Sequence, residues 1–156
     1  MYKSTKITEN WSICYRQPKA DSHCKFLHGY DIYFKFVFRA ETLDERNWVQ
    51  DFGFISKTEF KFDGKQLKEW FKYMFDHTTV ISRQDPYLEL FKGLNDEGII
   101  QLRVLDGVGC ESMAELVFNV ISMALKHDVG DRVQLESVEC FEHEKNSAMF
   151  INPKFC

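Results

Sequence analysis

An alternating stretch at residues 30–39 constrains the fold of this chain more than any other part of the sequence. Large apolar side chains recur at every second position, and a more polar set fills the positions between them. A period of two is typical of a half-buried β-strand. One face carries Tyr30, Ile32, Phe34, Phe36 and Phe38, and the other carries Asp31, Tyr33, Lys35, Val37 and Arg39.

A second alternating stretch, at residues 6–16, precedes it. Its apolar face carries Ile7, Trp11, Ile13 and Tyr15. The polar residues 17–22 end this stretch, so we predict two antiparallel strands joined by a wide loop. Cys24 and His28 lie at the end of that loop. Loops often carry catalytic side chains, but a loop cysteine and histidine can equally have no chemical role.

Two segments have the periodicity of amphipathic helices. The first carries an apolar stripe of Leu67, Trp70, Phe71, Met74 and Phe75. Asp63 is the predicted N-cap of this helix. The second helix is predicted to begin at Glu111 or Ser112 and to end at Gly130, because glycine is favoured just after the last helical turn.

Three further strands are predicted, a short one at residues 99–105 and a closing pair at 132–142 and 148–153. Residues 82–98 have the composition of a loop. The fold class is therefore α+β, with an antiparallel four-stranded sheet and two helices on one face. We expect the uncovered, aromatic face to drive self-association, with sheets joined edge to edge into a barrel.

Length and composition exclude several classes of protein. The chain has 156 residues and 44% hydrophobic residues, which predicts a single domain over residues 1–156. A net charge of −4 without a basic run argues against nucleic acid as a partner. Five cysteines without a CxxC pair argue against a disulfide framework or a zinc finger. The chain has no long apolar run that would indicate a membrane segment or a secretory signal, so we expect a cytoplasmic protein.

A carboxylate lies beside an imidazole at the end of the first predicted helix, in Asp76-His77. Such a pair can transfer protons, although the dipeptide also arises by chance. Near the other end of the chain, Glu142 precedes the predicted hairpin turn. A glutamate in that position is commonly a solvated side chain with no further role.

Five short motifs in order resemble one known family. They are Cys24 with Leu27-His28-Gly29-Tyr30, Asp51-Phe52, Asp76-His77, Cys110-Glu111, and Glu142 followed by Ala148 and Phe150. The chain resembles the 6-pyruvoyl-tetrahydropterin synthase and 6-carboxytetrahydropterin synthase family, whose members have the tunnelling fold. The resemblance covers most of the chain except roughly residues 57–66 and 82–106.

The resemblance implies a pterin site built between the subunits of a homotrimer or hexamer. By position, Cys24 is the general base, Asp76 and His77 form a proton relay, and Glu142 anchors the pterin ring. The positions of Cys110 and Glu111 correspond to substrate-binding residues. These roles are chemically sensible, because a carboxylate can accept two parallel hydrogen bonds from an aminopyrimidine edge.

The resemblance also implies zinc on three histidines, and here the sequence departs from the family. His28 is retained, but Tyr15 and Tyr30 occupy the other two ligand positions. A phenol with a pKa of about 10 stays protonated near neutral pH and binds a divalent ion weakly. His23 could supply a ligand but occupies no family position. We therefore expect no cofactor and no tightly bound zinc.

Two functions remain open at this point. The chain could be a pterin synthase-like lyase that acts on a dihydroneopterin triphosphate-like substrate in a tetrahydropterin or queuosine-precursor pathway. Alternatively, it could be a metal-free, catalytically altered relative that binds a pterin or purine, or that serves as an assembly protein. The loss of a Lewis acid favours the second, and the retained base, relay and anchor favour the first.

Overall fold

The computed structural model describes residues 1–156, and its sheet is built around strand β3, His28–Ala40. The prediction for this strand is confirmed. Ile32, Phe34, Phe36 and Phe38 are each no more than 1% exposed. Burying each of these side chains contributes about 1.5–3 kcal/mol. The alternating faces of β3 therefore decide which side of the sheet becomes the core.

The stretch before β3 forms two strands, β1 (Tyr2–Ile7) and β2 (Trp11–Tyr15), both antiparallel to β3. Ile7 lies opposite Lys35 and Trp11 opposite Ile32, so residues 8–10 face only residues 33 and 34. One extra residue in a strand is a β-bulge, and it reverses the faces beyond it. The prediction of one continuous strand is wrong for this reason, and Ile7 is 54% exposed.

Several short elements follow β3. They are helix α1 (Phe54–Lys57), strands β4 (Lys61–Phe62) and β5 (Lys65–Gln66), helix α2 (Leu67–Phe75), strand β6 (Thr78–Ser82), helix α3 (Leu88–Asp96) and strand β7 (Leu102–Leu105). The predicted loop at residues 82–98 is wrong, since it contains α3. The chain closes with helix α4 (Cys110–Val129) and the hairpin strands β8 (Gln134–His143) and β9 (Asn146–Ile151).

The main sheet has the strand order β7-β6-β2-β3-β8-β9, with β1 also paired to β3. The expected four-stranded antiparallel sheet corresponds to β1 with β2, β3, β8 and β9. Strands β6 and β7 extend it beyond β2, and both pair in parallel. The observed sheet is thus larger than the predicted one, by two parallel strands at one side.

The apolar stripe of α2 is buried as predicted, but the N-cap prediction is wrong. Gln66 is the N-cap, and the Glu69 side chain accepts a hydrogen bond from its backbone N–H at 3.3 Å. Asp63 instead lies in the turn between β4 and β5, with a φ of 48°. Helix α4 ends at Gly130 as predicted, where φ is 62°.

Helices α2 and α4 cover one face of the sheet. Phe71 of α2 stacks on Trp11 with ring centroids 5.3 Å apart, and Phe118 of α4 contacts Phe150 at 4.8 Å. The other face mixes charge with aromatic side chains, and is less aromatic than expected. There, Tyr33 stacks on Phe141 with ring centroids 4.6 Å apart. The next pair along this face is charged, with Lys35 Nζ 3.9 Å from Glu139 Oε2. None of the helices is both long and apolar enough to span a bilayer.

Candidate active site

A cavity of about 220 Å³ lies where the end of β2, the start of α4 and the β8–β9 hairpin meet. It brings together side chains that are more than a hundred positions apart in the sequence. Of the residues singled out from the sequence, it is lined by Tyr15, Cys24, His28, Cys110, Glu111, Glu142 and Ala148. The fold therefore gathers most of the predicted site at one place.

Cys24 lies in a single 3₁₀ turn, His23–Lys25, within the loop between β2 and β3. Its backbone N–H donates to the Ser22 hydroxyl oxygen at 3.4 Å, and its carbonyl oxygen accepts from the Gln17 N–H at 2.9 Å. The side chain is half-buried. A thiol held in this way by backbone contacts is both accessible from the cavity and restrained in position.

His28 begins β3 and faces the same cavity. Its Nδ1 lies 2.6 Å from the Phe26 carbonyl oxygen. An oxygen that can only accept requires the proton on Nδ1, which leaves Nε2 as the nitrogen with a free lone pair. His28 can therefore offer Nε2 as an acceptor to a ligand.

Tyr15 and Glu142 form the tightest polar contact of the cavity. The Tyr15 hydroxyl donates to Glu142 Oε1 at 2.5 Å, and the Tyr15 residue is only 1% exposed. Burial, followed by this hydrogen bond to a carboxylate, raises the pKa of Tyr15 well above that of an ordinary phenol. Burial and the nearby Glu142 charge also raise the pKa of Tyr30. Both phenols are therefore neutral at physiological pH.

The donor set at the position that the resemblance assigns to zinc does not fit zinc. The ring centroid of His28 lies 5.3 Å from that of Tyr15 and 5.1 Å from that of Tyr30, so the three positions do cluster. Zinc sites in proteins use Cys, His, Asp or Glu, and a neutral phenol that already donates to Glu142 is a poor substitute. No three His, Cys, Asp or Glu side chains group closely enough to share a metal ion.

Cys110 and Glu111 open α4 at the wall of the cavity. The helix N-cap is Gly109, whose φ of 120° favours glycine. A Cβ atom at position 109 would also lie 2.5 Å from Gln17 Nε2. That amide nitrogen donates to the Val108 carbonyl oxygen at 2.6 Å. The start of α4 and the Cys24 loop are thus held against each other.

Asp76 and His77 are not brought into this cavity. They lie at the end of α2, where His77 Nδ1 contacts Asp76 Oδ1 at 2.7 Å. The His77 side chain is 79% exposed, and its backbone N–H donates to the Ser12 carbonyl oxygen. The pair is therefore available to another molecule but does not line the cavity of its own chain.

Sequence reasoning missed Gln17, Asn146 and Ser147, which also line the cavity. The last two could have been found, since the hairpin register places Ser147 opposite Phe141 and Asn146 opposite His143. Both residues come shortly after Glu142 in the sequence, so a hairpin with a short turn brings them back beside it. For Gln17 the sequence holds no signal, because its contact with Val108 depends on the tertiary fold.

Comparisons with known proteins agree with this fold. A family model described as 6-pyruvoyl tetrahydropterin synthase matches residues 4–153. An uncharacterised protein from Wolinella succinogenes superposes with a TM-score of 0.78 at 18% identity, covering 97% of this chain and 98% of the other. No curated protein matches the sequence.

Two solved 6-pyruvoyl tetrahydropterin synthases are also similar in structure. The Plasmodium vivax protein has a TM-score of 0.64 at 11% identity, over 97% of this chain and 99% of the other. The Caenorhabditis elegans protein has a TM-score of 0.59 at 17% identity, over 97% of each chain. The fold is thus the tunnelling fold, an α+β sheet with helices across one face. The chain belongs to the 6-pyruvoyl tetrahydropterin synthase family, of which it is a divergent member.

Proposed function

We propose that the protein binds a pterin in the cavity beside Glu142 and acts on the pterin side chain as a carbon–oxygen lyase. The proposed substrate is dihydroneopterin triphosphate or a close analogue, as in a tetrahydropterin or queuosine-precursor pathway. The observation that carries the proposal is that Cys24 and Glu142 line one cavity. Membership of the family supports a pterin synthase-like function in general.

Glu142 is the proposed anchor of the pterin ring. The Tyr15 hydroxyl uses one acceptor position on Glu142 Oε1, and an ionised carboxylate has about four such positions. Glu142 can therefore still accept two parallel hydrogen bonds from an aminopyrimidine edge. The cavity of about 220 Å³ is smaller than the roughly 300 Å³ at which ligand pockets usually begin. We propose that the cavity takes the ring alone, and that the side chain of the substrate extends beyond it toward a neighbouring subunit.

Cys24 is the proposed base. Its thiolate would take a proton from the substrate side chain, and the electron pair left on carbon would form a double bond as the C–O bond to the triphosphate breaks. The resulting enol needs a proton moved from oxygen to carbon, which is the proposed role of Asp76 and His77. Because these two do not line the cavity of their own chain, a neighbouring copy would supply them. No step of this scheme uses zinc.

A second candidate is a metal-free relative that binds a pterin or purine without turnover, or that serves as an assembly protein. The observation that favours it is the pair of neutral phenols, Tyr15 and Tyr30, at family zinc positions. A Lewis acid contributes several kcal/mol to an enolisation, so its absence slows the original reaction. Binding to Glu142 would be unaffected by that loss.

Calorimetric titration with sepiapterin, neopterin and guanine, followed by a turnover assay with dihydroneopterin triphosphate, tests both candidates. A hydrogen bond to a charged acceptor contributes roughly 1.5–3 kcal/mol, so Glu142→Gln should weaken ring binding by about one to two orders of magnitude. Cys24→Ala should preserve ring affinity and abolish turnover. Binding without turnover in the wild type would favour the second candidate. No binding of any ring, or equal affinity in Glu142→Gln, would refute the pterin site.

A further inference from the structure

The loop that carries Cys24 is tied to the rest of the molecule by the side chain of Arg16. The Arg16 Nε and Nη2 atoms donate to the two carboxylate oxygens of Asp85, at 2.7 and 3.3 Å. The remaining Nη1 donates to the carbonyl oxygen of Lys25 at 3.0 Å. Lys25 directly follows Cys24, so one guanidinium connects Asp85 to the backbone next to the thiol.

Asp85 is itself fixed in place. Its side chain is 0% exposed, and its Oδ1 also accepts the backbone N–H of Tyr87 at 2.9 Å. The Tyr87 ring lies against the guanidinium, with Arg16 Cζ 5.4 Å from the ring centroid. Arg16 therefore contacts a buried carboxylate and an aromatic ring that both belong to the segment between β6 and α3.

This ion pair is poorly explained by stability alone. Removing two charges from water costs about as much as their attraction returns, so a buried pair adds little net stability. The planar guanidinium does provide fixed directions, since its donors point in a rigid fork. The distance from Asp85 to the Lys25 carbonyl is therefore set by Arg16, in a way that a lysine ammonium could not reproduce.

The opposite side of the loop is held by Gln17. Its backbone N–H donates to the Cys24 carbonyl oxygen, and its side chain reaches the Val108 carbonyl oxygen beside the start of α4. Cys24 thus lies between two attachments, one to the segment before α3 and one to the segment before α4. Only the first of these rests on a charged pair.

We propose that Arg16 is a positioning residue, which together with Asp85 holds the Cys24 thiol in place at the cavity. The proposal rests on the function assigned to Cys24 above, since a base must be held within reach of the proton that it removes. It also gives the segment between β6 and α3 an indirect role in catalysis, although that segment does not line the cavity.

The first test measures the mobility of Cys24 without any pterin. The rate of Cys24 alkylation by iodoacetamide is followed by peptide mass spectrometry and normalised to the exposed Cys156 in the same sample. Arg16→Lys keeps the charge but loses the hydrogen bond to Lys25. Since one hydrogen bond shifts a local opening equilibrium by roughly two- to tenfold, Cys24 should react faster by about that factor.

Two further variants make the result specific. Arg83→Lys alters an exposed pair with Asp106 in the same part of the chain and should leave the Cys24 rate unchanged. The double variant Arg16→Met/Asp85→Val replaces the buried pair by apolar side chains, a change that often preserves stability, and it should accelerate Cys24 like Arg16→Lys. A wild-type Cys24 rate in both folded Arg16 variants would overturn the proposal.

The second test separates positioning from binding. If the wild type turns over dihydroneopterin triphosphate, Arg16→Lys should lower kcat by about one to two orders of magnitude with little change in KM, because a small misplacement of a catalytic group is costly. An unchanged kcat would count against the proposal. If the wild type neither binds nor converts a pterin, the proposed function fails, and the alkylation rates still decide whether Arg16 restrains Cys24.

Discussion

At the scale of single residues, Tyr15 affects both the metal chemistry and the ligand chemistry of this site. The resemblance to the family assigns its position to a zinc ligand, and its hydroxyl donates to the proposed anchor, Glu142. One side chain therefore removes a metal ligand and engages the carboxylate that would hold the substrate. The proposed anchor and the altered zinc position are thus connected by one hydrogen bond.

We expect the protein to carry well under one zinc per chain after growth with added zinc and dialysis, as measured by elemental analysis. The double variant Tyr15→His/Tyr30→His should gain zinc, because the three rings lie 5.1 to 5.7 Å apart and imidazoles there could converge on one ion. Adding His28→Ala to the double variant is the control and should remove the metal. Stoichiometric zinc in the wild type that is lost in His28→Ala would contradict this account.

Tyr15 also predicts a dependence of stability on alkaline pH. Folding raises the pKa of Tyr15, so the folded state holds the phenolic proton more tightly than the unfolded state does. Its contribution to the unfolding free energy is complete below the unfolded pKa of about 10 and is lost as the pH rises above that value. In urea titrations between pH 9 and 11, chosen as roughly one unit either side of that value, Tyr15→Phe should therefore lose stability less steeply than the wild type.

The exposed Tyr2, at 49% exposure, supplies the matched control for this measurement. Tyr2→Phe should show the same pH dependence as the wild type. If Tyr15→Phe also follows the wild-type curve, the buried phenol does not contribute as argued.

At the scale of elements, the packing of α2 on the bulged strand pair organises the core. The bulge at residues 8–10 turns Trp11 inward, where its ring stacks on Phe71 with an interplanar angle of 9°. Phe71 also contacts Phe34 and Phe75, with centroids 6.0 and 6.2 Å away. A single helical side chain therefore joins β2, β3 and α2.

Phe71→Ala should lower the unfolding free energy by about 3–5 kcal/mol, because it leaves a cavity among rigid aromatic rings. The comparison variant is Phe52→Ala, at a side chain that is 55% exposed, and it should change stability by about 0.5 kcal/mol or less. Urea unfolding followed by tryptophan fluorescence measures both. A loss in Phe71→Ala no larger than in Phe52→Ala would show that α2 packs differently.

At the scale of the whole molecule, the sheet has three open edges. Strands β1, β7 and β9 each pair with one other strand, and β1 and β9 each have a free side of six residues. Unpaired strand edges favour pairing with another chain. The small cavity and the distant Asp76-His77 pair also favour a site that a second copy completes.

We therefore expect a homo-oligomer, either a trimer or a dimer of trimers, in line with the resemblance to the family. Light scattering at micromolar concentration measures the mass, and a value of 18.5 kDa for a monomer would contradict the prediction. Lysine on an edge strand disfavours pairing with another chain, so Met149→Lys on β9 should reduce the mass of the assembly. Leu90→Lys on α3, at a side chain that is 60% exposed, should not.

Part of the site could be predicted from the sequence, and part could not. The positions of Cys24, His28, Cys110 and Glu142 followed from short motifs in a fixed order, and the fold brings all four to one cavity. The hydrogen bond from Tyr15 to Glu142 could not be predicted, because it joins side chains separated by 127 positions. The same holds for Arg16 and Asp85, which no local pattern connects.

Local periodicity determined β3 and α2, since the exposure of alternate or every third and fourth side chain depends only on near neighbours. The end of α4 followed from Gly130, because glycine is favoured just after the last helical turn. Tertiary structure alone decided β6, whose first four residues are all buried and so show no alternation. It also decided α3, a short helix containing Gly93 in which only Phe91 is buried. In both cases the stabilising contacts are made with distant parts of the chain, and a sequence pattern cannot record contacts that exist only after the sheet has formed.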